Sequence, residues 1–202
     1  EPARLGAERD GVVIGRNLPG GTYHWFFPVG TVATAEARQD DLVRLRLASG
    51  ATAWVPIAEV APQRGMALPG LAVMGSLTLS ATPSGARLRI PLSAPVAHQV
   101  RATPAGLTIT LFGVAGDADW TRYPVTGRFV RWLGWHQVAT DRVEMELSFA
   151  QPLWGWRVRV DRGDLLFEFR QPPTVDRVNP LKGRRIVLDP GHPPVGACGP
   201  TG

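Results

Sequence analysis

The chain has 202 residues, of which 44% are hydrophobic and 19% charged, and its formal net charge is +5. That balance belongs to a globular chain with room for one or two cores, and excludes a disordered one. No apolar run approaches the roughly 20 residues a membrane-spanning helix needs, and a single cysteine, Cys198, excludes an internal disulfide framework. The opening EPARLGAERD lacks an initiator Met, so an upstream segment such as a secretory signal is expected to have been removed.

Nearly all the positive charge is arginine, with Lys182 the one lysine. Residues 1–66 hold seven Arg and seven acids, residues 67–176 eleven and nine. The last 26 residues hold Arg177, Lys182, Arg184 and Arg185 against Asp189, a local charge of +3. A nucleic-acid binder shows a basic stripe with exposed aromatics. Here the arginines alternate with apolar residues, as in LVRLRL and GWRVRV, which is the pattern of a solvated sheet face and argues against nucleic acid. Attraction to an anionic polymer such as a bacterial wall fits the same charge.

Nineteen Pro and twenty-three Gly interrupt every window long enough for a four-turn amphipathic helix. Period-two alternation takes its place. Residues 1–64 form a first small unit. Its clearest strand is DDLVRLRLASG, with Val43, Leu45 and Leu47 on one face and Arg44 and Arg46 on the other. APQRGMALPG (61–70) marks a boundary. Residues 65–171 form a second unit. There Leu88, Ile90 and Leu92 share a face, as do Leu107, Ile109 and Leu111, and then Val143, Met145, Leu147 and Phe149. Trp156, Val158 and Val160 continue the pattern up to a DRGD turn, after which LLFEFR returns. Short strands at this spacing predict an all-β sandwich or barrel. QPPTVDRVNPLKG (171–183) has three prolines and no period, and residues 172–184 are assigned as a linker.

The first unit resembles a bacterial Src-homology-3-like barrel. The resemblance rests on about fifty residues, from GVVIGRNLPGGTYHWFF through the Pro28–Thr31 step to Gly50, Ala53, Trp54, Val55 and Pro56 in the closing strand. It implies a short 3₁₀ turn at that step. Aromatics in TYHWFF can line a groove for wall peptides, with Tyr23 and Trp25 as candidates. Alternatively, Trp25 and Phe27 fill a small core while Tyr23 and His24 face water. The second unit is similar in pattern to AMIN-type β-sandwiches, which precede catalytic domains and serve in envelope targeting. Its Trp120, Trp132, Trp135, Trp154 and Trp156 suit core or rim packing better than a sugar platform, and His136 reads as a half-buried packing residue.

The tail, residues 185–202, differs in kind. Ile186, Val187 and Leu188 form an unalternated apolar run, the pattern of a parallel strand buried on both faces. Asp189 ends it, Pro190 and Gly191 make a turn, and His192 is delivered at the strand's carboxyl end, where open α/β sheets place their sites. A neutral imidazole held this way suits zinc, and Asp189 is near enough to orient it. IVLDPGHPPVGACGPTG resembles the opening of the catalytic domain of zinc-dependent N-acetylmuramoyl-L-alanine amidases. The resemblance makes His192 the first metal ligand and peptidoglycan the substrate. It also implies a zinc ion that lowers the pKa of a bound water and polarises the scissile carbonyl. The family's His-Gly-Gly is here His192–Pro193–Pro194. Its ligating glutamate, second histidine and catalytic glutamate have no counterpart in these residues.

One zinc ligand of about three leads to the expectation that these 202 residues alone hold no stable zinc and hydrolyse nothing. The fold class expected is therefore mainly β, a small barrel and an antiparallel sandwich, followed by the truncated first strand of an α/β amidase domain. That strand, without its sheet, is expected to be disordered or to borrow a partner. The localisation expected is the bacterial envelope. The rival reading is a non-catalytic envelope-binding or structural module, and a barrel that binds a protein partner fits the same residues.

Overall fold

The structure, a computed structural model, describes residues 1–6, 12–123, 129–183 and 185–186. The protein is mainly β: about 60% strand in three antiparallel or mixed sheets, with no α-helix among the described residues. The first strands are β1 (Pro2–Leu5), β2 (Val12–Arg16), β3 (Tyr23–Pro28), β4 (Val32–Gln39), β5 (Leu42–Ala48) and β6 (Ala51–Pro56). A 3₁₀ turn at Ile57–Glu59 follows, then β7 (Val60–Pro62). Next come β8 (Ala72–Met74), β9 (Leu77–Thr82), β10 (Gly85–Ile90), β11 (His98–Thr103), β12 (Gly106–Phe112), β13 (Val114–Gly116) and β14 (Thr121–Arg122). The long hairpins β15 (Val130–Ala139) with β16 (Arg142–Phe149), and β17 (Gly155–Asp161) with β18 (Asp164–Arg170), complete the set.

Contacts divide the chain into Glu1–Pro172 and Pro173–Gly202. Within the first unit, one sheet runs β15-β16-β12-β11-β3-β2-β6-β5-β4-β1-β7, a second runs β14-β9-β10-β18-β17, and β13 pairs with β8 in parallel. Among the described residues no sheet closes on itself. This corrects the barrel expected in residues 1–64. The ladder ends at β7, which pairs only with β1, while the edge of β3 is taken by β11 through the Phe26–His98 rung. An edge occupied by a strand from elsewhere cannot also seal a barrel.

Two cores are buried in this unit. Leu5, Val13, Phe27, Leu45, Ala53 and Val55 anchor the N-terminal one. The sandwich-like core packs Leu79, Leu88, Ile90, Phe167 and Phe169 of the five-stranded sheet with Leu107, Ile109, Leu111, Val143 and Met145 of the long one. Alternation sorts neighbouring residues between the two: Val96 and Leu111 belong to the sandwich core, Ala97 and Phe112 to the N-terminal core. The same short segments therefore feed both, and the two cores share a wall.

Two hairpins use the same turn, Thr82–Pro83–Ser84–Gly85 and Thr103–Pro104–Ala105–Gly106. Gly85 and Gly106 take φ of 148° and 153°. A Cβ there would lie 2.1 Å from the Phe169 carbonyl oxygen and 2.0 Å from that of Leu147, so both positions require glycine.

In the second unit the Asp176 carboxylate accepts from the backbone N–H groups of Val178 (2.8 Å) and Asn179 (3.0 Å). Those two bonds, Asn179 foremost, hold its pKa below the usual carboxylate value. No strand is formed by Arg185 and Ile186, and Ile186 is exposed. Residues 187–189 of the expected buried strand lie outside the described residues.

Candidate functional site

The β17–β18 hairpin turns through Asp161–Asp164, and counting back from that turn sets Arg157 opposite Glu168 and Arg159 opposite Leu166. On the other side of β18, Arg87 faces Glu168 and Arg89 faces Leu166. Leu165, Phe167 and Phe169 point into the core, so Glu168 lies on the outer face with arginines on both flanks. Its Oε2 accepts from Arg157 Nε at 2.5 Å, while Oε1 accepts from Arg87 Nη2 and Arg159 Nη2, each at 2.8 Å. The carboxylate side chain is 14% exposed. The Arg157 hydrogen bond, then that of Arg87 and the charges of Arg157 and Arg159, outweigh its partial desolvation and lower its pKa to about 2. Arg89 is paired with Asp164 at 2.5 Å.

Arg87, Arg89, Arg157 and Arg159 thus face two carboxylates, and Arg170, two residues on from Glu168, adds a fifth cation. These five arginines outnumber the carboxylates of Glu168, Asp164 and Asp161, the last opposite Asp164, so this sheet face is net positive. Each of the four paired arginine side chains remains between 43% and 58% exposed, with donors to spare. Such a face can hold carboxylates or phosphates of an anionic polymer. The sequence contains the signal: an acid amid FEF, whose register from the DRGD turn places it against an arginine-bearing strand.

Behind β17 lies a groove of about 330 Å³, lined by Val12, Ile14, Phe26, Val100, Trp156 and Val160. His98 is at its wall, 2% exposed. Burial lowers the His98 pKa to about 4; the Val96 backbone pulls weakly the other way, and Nδ1 has no hydrogen bond of proper geometry. A neutral ring results. No pattern in AHQV distinguishes this histidine in the sequence.

A second cleft of about 490 Å³ lies beside the wall shared by the cores, among Thr31, Leu47, Leu71, Pro95 and Phe112. Asp141 reaches into this region from the β15–β16 turn, and its Oδ2 accepts from Ser49 N (2.6 Å) and Ser49 Oγ (2.8 Å). That contact clips two hairpins together.

Tyr23 is 60% exposed, with the Arg16 guanidinium 4.5 Å from its ring centroid. Trp25 is half-buried, edge-on to Phe112 at 6.5 Å, and its Nε1 is buried without a hydrogen bond. A register shift sets Tyr23 opposite Arg16 and Trp25 opposite Gly15, so the two fall on opposite faces of β3, Trp25 against the N-terminal core, and neither lines the two clefts above. Trp120, Trp132, Trp154 and Trp156 are exposed, whereas Trp135 packs on the sandwich core. His136 is exposed on β15, not half-buried as expected. Asp189 and His192 lie outside the described residues. Among the described residues no three His, Cys, Asp or Glu side chains gather to hold a metal, and no helix is long and apolar enough to cross a membrane.

No family model matches the chain. No curated protein matches it either. A solved structure, that of a hypothetical protein from Synechocystis, is similar at a TM-score of 0.38 and 11% identity, over 84% of this chain. The chain spans 35% of that protein's length.

Proposed function

We propose that this chain is the front part of a zinc-dependent N-acetylmuramoyl-L-alanine amidase of the bacterial envelope, whose β unit holds the enzyme to peptidoglycan. The observation that carries the reading is the sequence run IVLDPGHPPVGACGPTG, in which an unalternated apolar stretch leads to Asp189–Pro190–Gly191–His192 after a proline-rich segment. The β unit supports it with the arginine face around Glu168, because wall polymers offer many carboxylates and a multi-arginine surface binds them in fork-to-fork pairs. Of this chain's residues, His192 is the one assigned to zinc. The described residues supply no further ligand set, so no chemical step is assigned to them.

The test is to isolate the protein from its native source and determine its mass, zinc content and action on purified sacculi. A mass well above the 21.8 kDa of these residues, about one zinc per chain, and release of stem peptides with a free L-alanine amino terminus are expected. His192→Ala should abolish both zinc and release. A 21.8 kDa protein that sediments with sacculi and releases nothing would replace this reading with that of a non-catalytic envelope module. Loss of sedimentation in the double variant Arg87→Gln, Arg170→Gln would assign wall binding to the arginine face under either outcome.

A further inference from the structure

The five-stranded sheet stops one strand early. Opposite it, the long sheet continues from β11 through β3 to β2, but β17 is the last strand on its own side. The space where a sixth strand would lie is the apolar groove between the outer edge of β17 and the Val12, Ile14 and Phe26 side chains. Three large side chains facing it are left open: Trp156 at 41%, Val160 at 42% and Ile14 at 39% exposure. Arg157 and Arg159 also border it, as the outward-pointing alternates of the same edge strand.

We propose that this edge accepts an extended segment of a partner protein in which acidic and apolar residues alternate. Three features select that occupant. Among the described residues no strand pairs with the outer edge of β17, and such a seven-residue edge binds a strand and not a compact ligand. The alternation of β17 sends one side of an added strand to the groove and the other to Arg157 and Arg159, so the matching sequence is apolar on one face and acidic on the other. A second copy of this chain is disfavoured. Pairing the whole of β17 with itself sets Arg157 opposite the copy's Arg159 twice over, like charges at cross-strand distance. Glu168 satisfies one donor group on each arginine and leaves others free to pair across the edge.

The probe is a seven-residue, fluorescein-labelled peptide alternating glutamate and valine, followed by fluorescence anisotropy with the intact chain. Saturable binding is expected, at least about tenfold tighter than for the lysine–valine counterpart at the same salt. Amides of Gly155–Asp161 should gain protection from hydrogen exchange in the wild-type complex, a readout that needs no variant. Trp156→Ser and Val160→Lys should weaken binding at least about tenfold, while Arg157→Gln with Arg159→Gln should remove the preference for glutamate. Absence of binding by the wild type, equal binding of the lysine peptide, or protection confined to another strand would overturn the proposal. So would a concentration-dependent dimer that protects Gly155–Asp161 without any peptide.

Discussion

His98 stands edge-on to Phe167, with ring centroids 6.0 Å apart and planes at 80°, and on its other side it faces Phe26 across the rung that joins β3 to β11. One imidazole thus touches the sandwich core and the strand that carries the N-terminal core. Its place in the chain, directly after Val96 and Ala97, is where alternation hands side chains to the two cores in turn. A charged ring there would sit buried between two phenyl groups, and burial outweighs the Val96 backbone, so the protein holds it neutral.

That neutrality makes stability depend on pH in one window. The native pKa is about 4 and the unfolded value 6.5. Above 6.5 neither state is protonated and the full stability is present. As pH falls from 6.5 to 4 the unfolded chain takes up a proton that the native state refuses, and stability drops by about 3 kcal/mol. His98→Leu removes this difference. Urea titrations of wild type and variant should therefore give a stability gap that changes between pH 6.5 and 4 and is flat above. A gap that does not vary over that window would show that the ring takes up its proton as readily in the native state as in the unfolded one.

Glu168 contributes at lower pH. Its native pKa is about 2 against an ordinary 4.5. Its contribution is present above 4.5 and is lost as pH falls towards 2, where the native carboxylate finally takes a proton. Glu168→Gln leaves Arg87, Arg157 and Arg159 without their shared anion, and should cost about 1–2 kcal/mol at pH 7 for this partly exposed cluster. Thermal unfolding at several pH values should show that deficit shrinking below pH 4.5. A deficit that persists undiminished at pH 2 would mean that shape, not charge, is what the glutamine lacks.

The strands with one buried face were legible in the sequence. Val43, Leu45 and Leu47, or Leu107, Ile109 and Leu111, alternate because one face of the strand turns to a core while the other carries more polar residues, and all six are buried. Trp156, Val158 and Val160 show the same alternation, yet Trp156 and Val160 stay exposed, since periodicity marks a face and not what covers it. The β3–β11 rung was invisible for a related reason. Phe26 and His98 lie 72 positions apart (98 − 26) and meet through a single ladder pair, which leaves no local trace. That rung decides against barrel closure. The Glu168 cluster was readable in principle, since register counts outward from a tight turn, whereas the neutral state of His98 follows from burial alone.

Asp141 supplies a second tie between the cores. Its Oδ2 accepts from both Ser49 N and Ser49 Oγ, and its backbone oxygen accepts from Gly113 and Val114. Asp141→Ala keeps the backbone bonds and deletes the side-chain clip, leaving the Ser49 amide to find water at a partly exposed turn. A loss of about 1–2 kcal/mol is expected. Hydrogen exchange should quicken at Ser49 and in the β5–β6 turn, with little change at Phe167. Equal loss of protection in both cores would indicate that they unfold as one cooperative unit.

The repeated Thr-Pro-x-Gly turn gives the most direct test of the backbone. At Gly85 and Gly106 the obstacle to a side chain is a carbonyl oxygen of the neighbouring strand, which no rotamer change can move aside. Both residues also sit at φ values that L-amino acids rarely adopt. Gly85→Ala and Gly106→Ala should each cost about 2 kcal/mol or more. Gly155 is the control, because it lies in a strand with no atom within 4 Å of an added Cβ. Gly155→Ala should change stability by no more than about 0.5 kcal/mol. If chemical denaturation ranked Gly155→Ala with the other two, strand propensity and not the close carbonyl would be the controlling term.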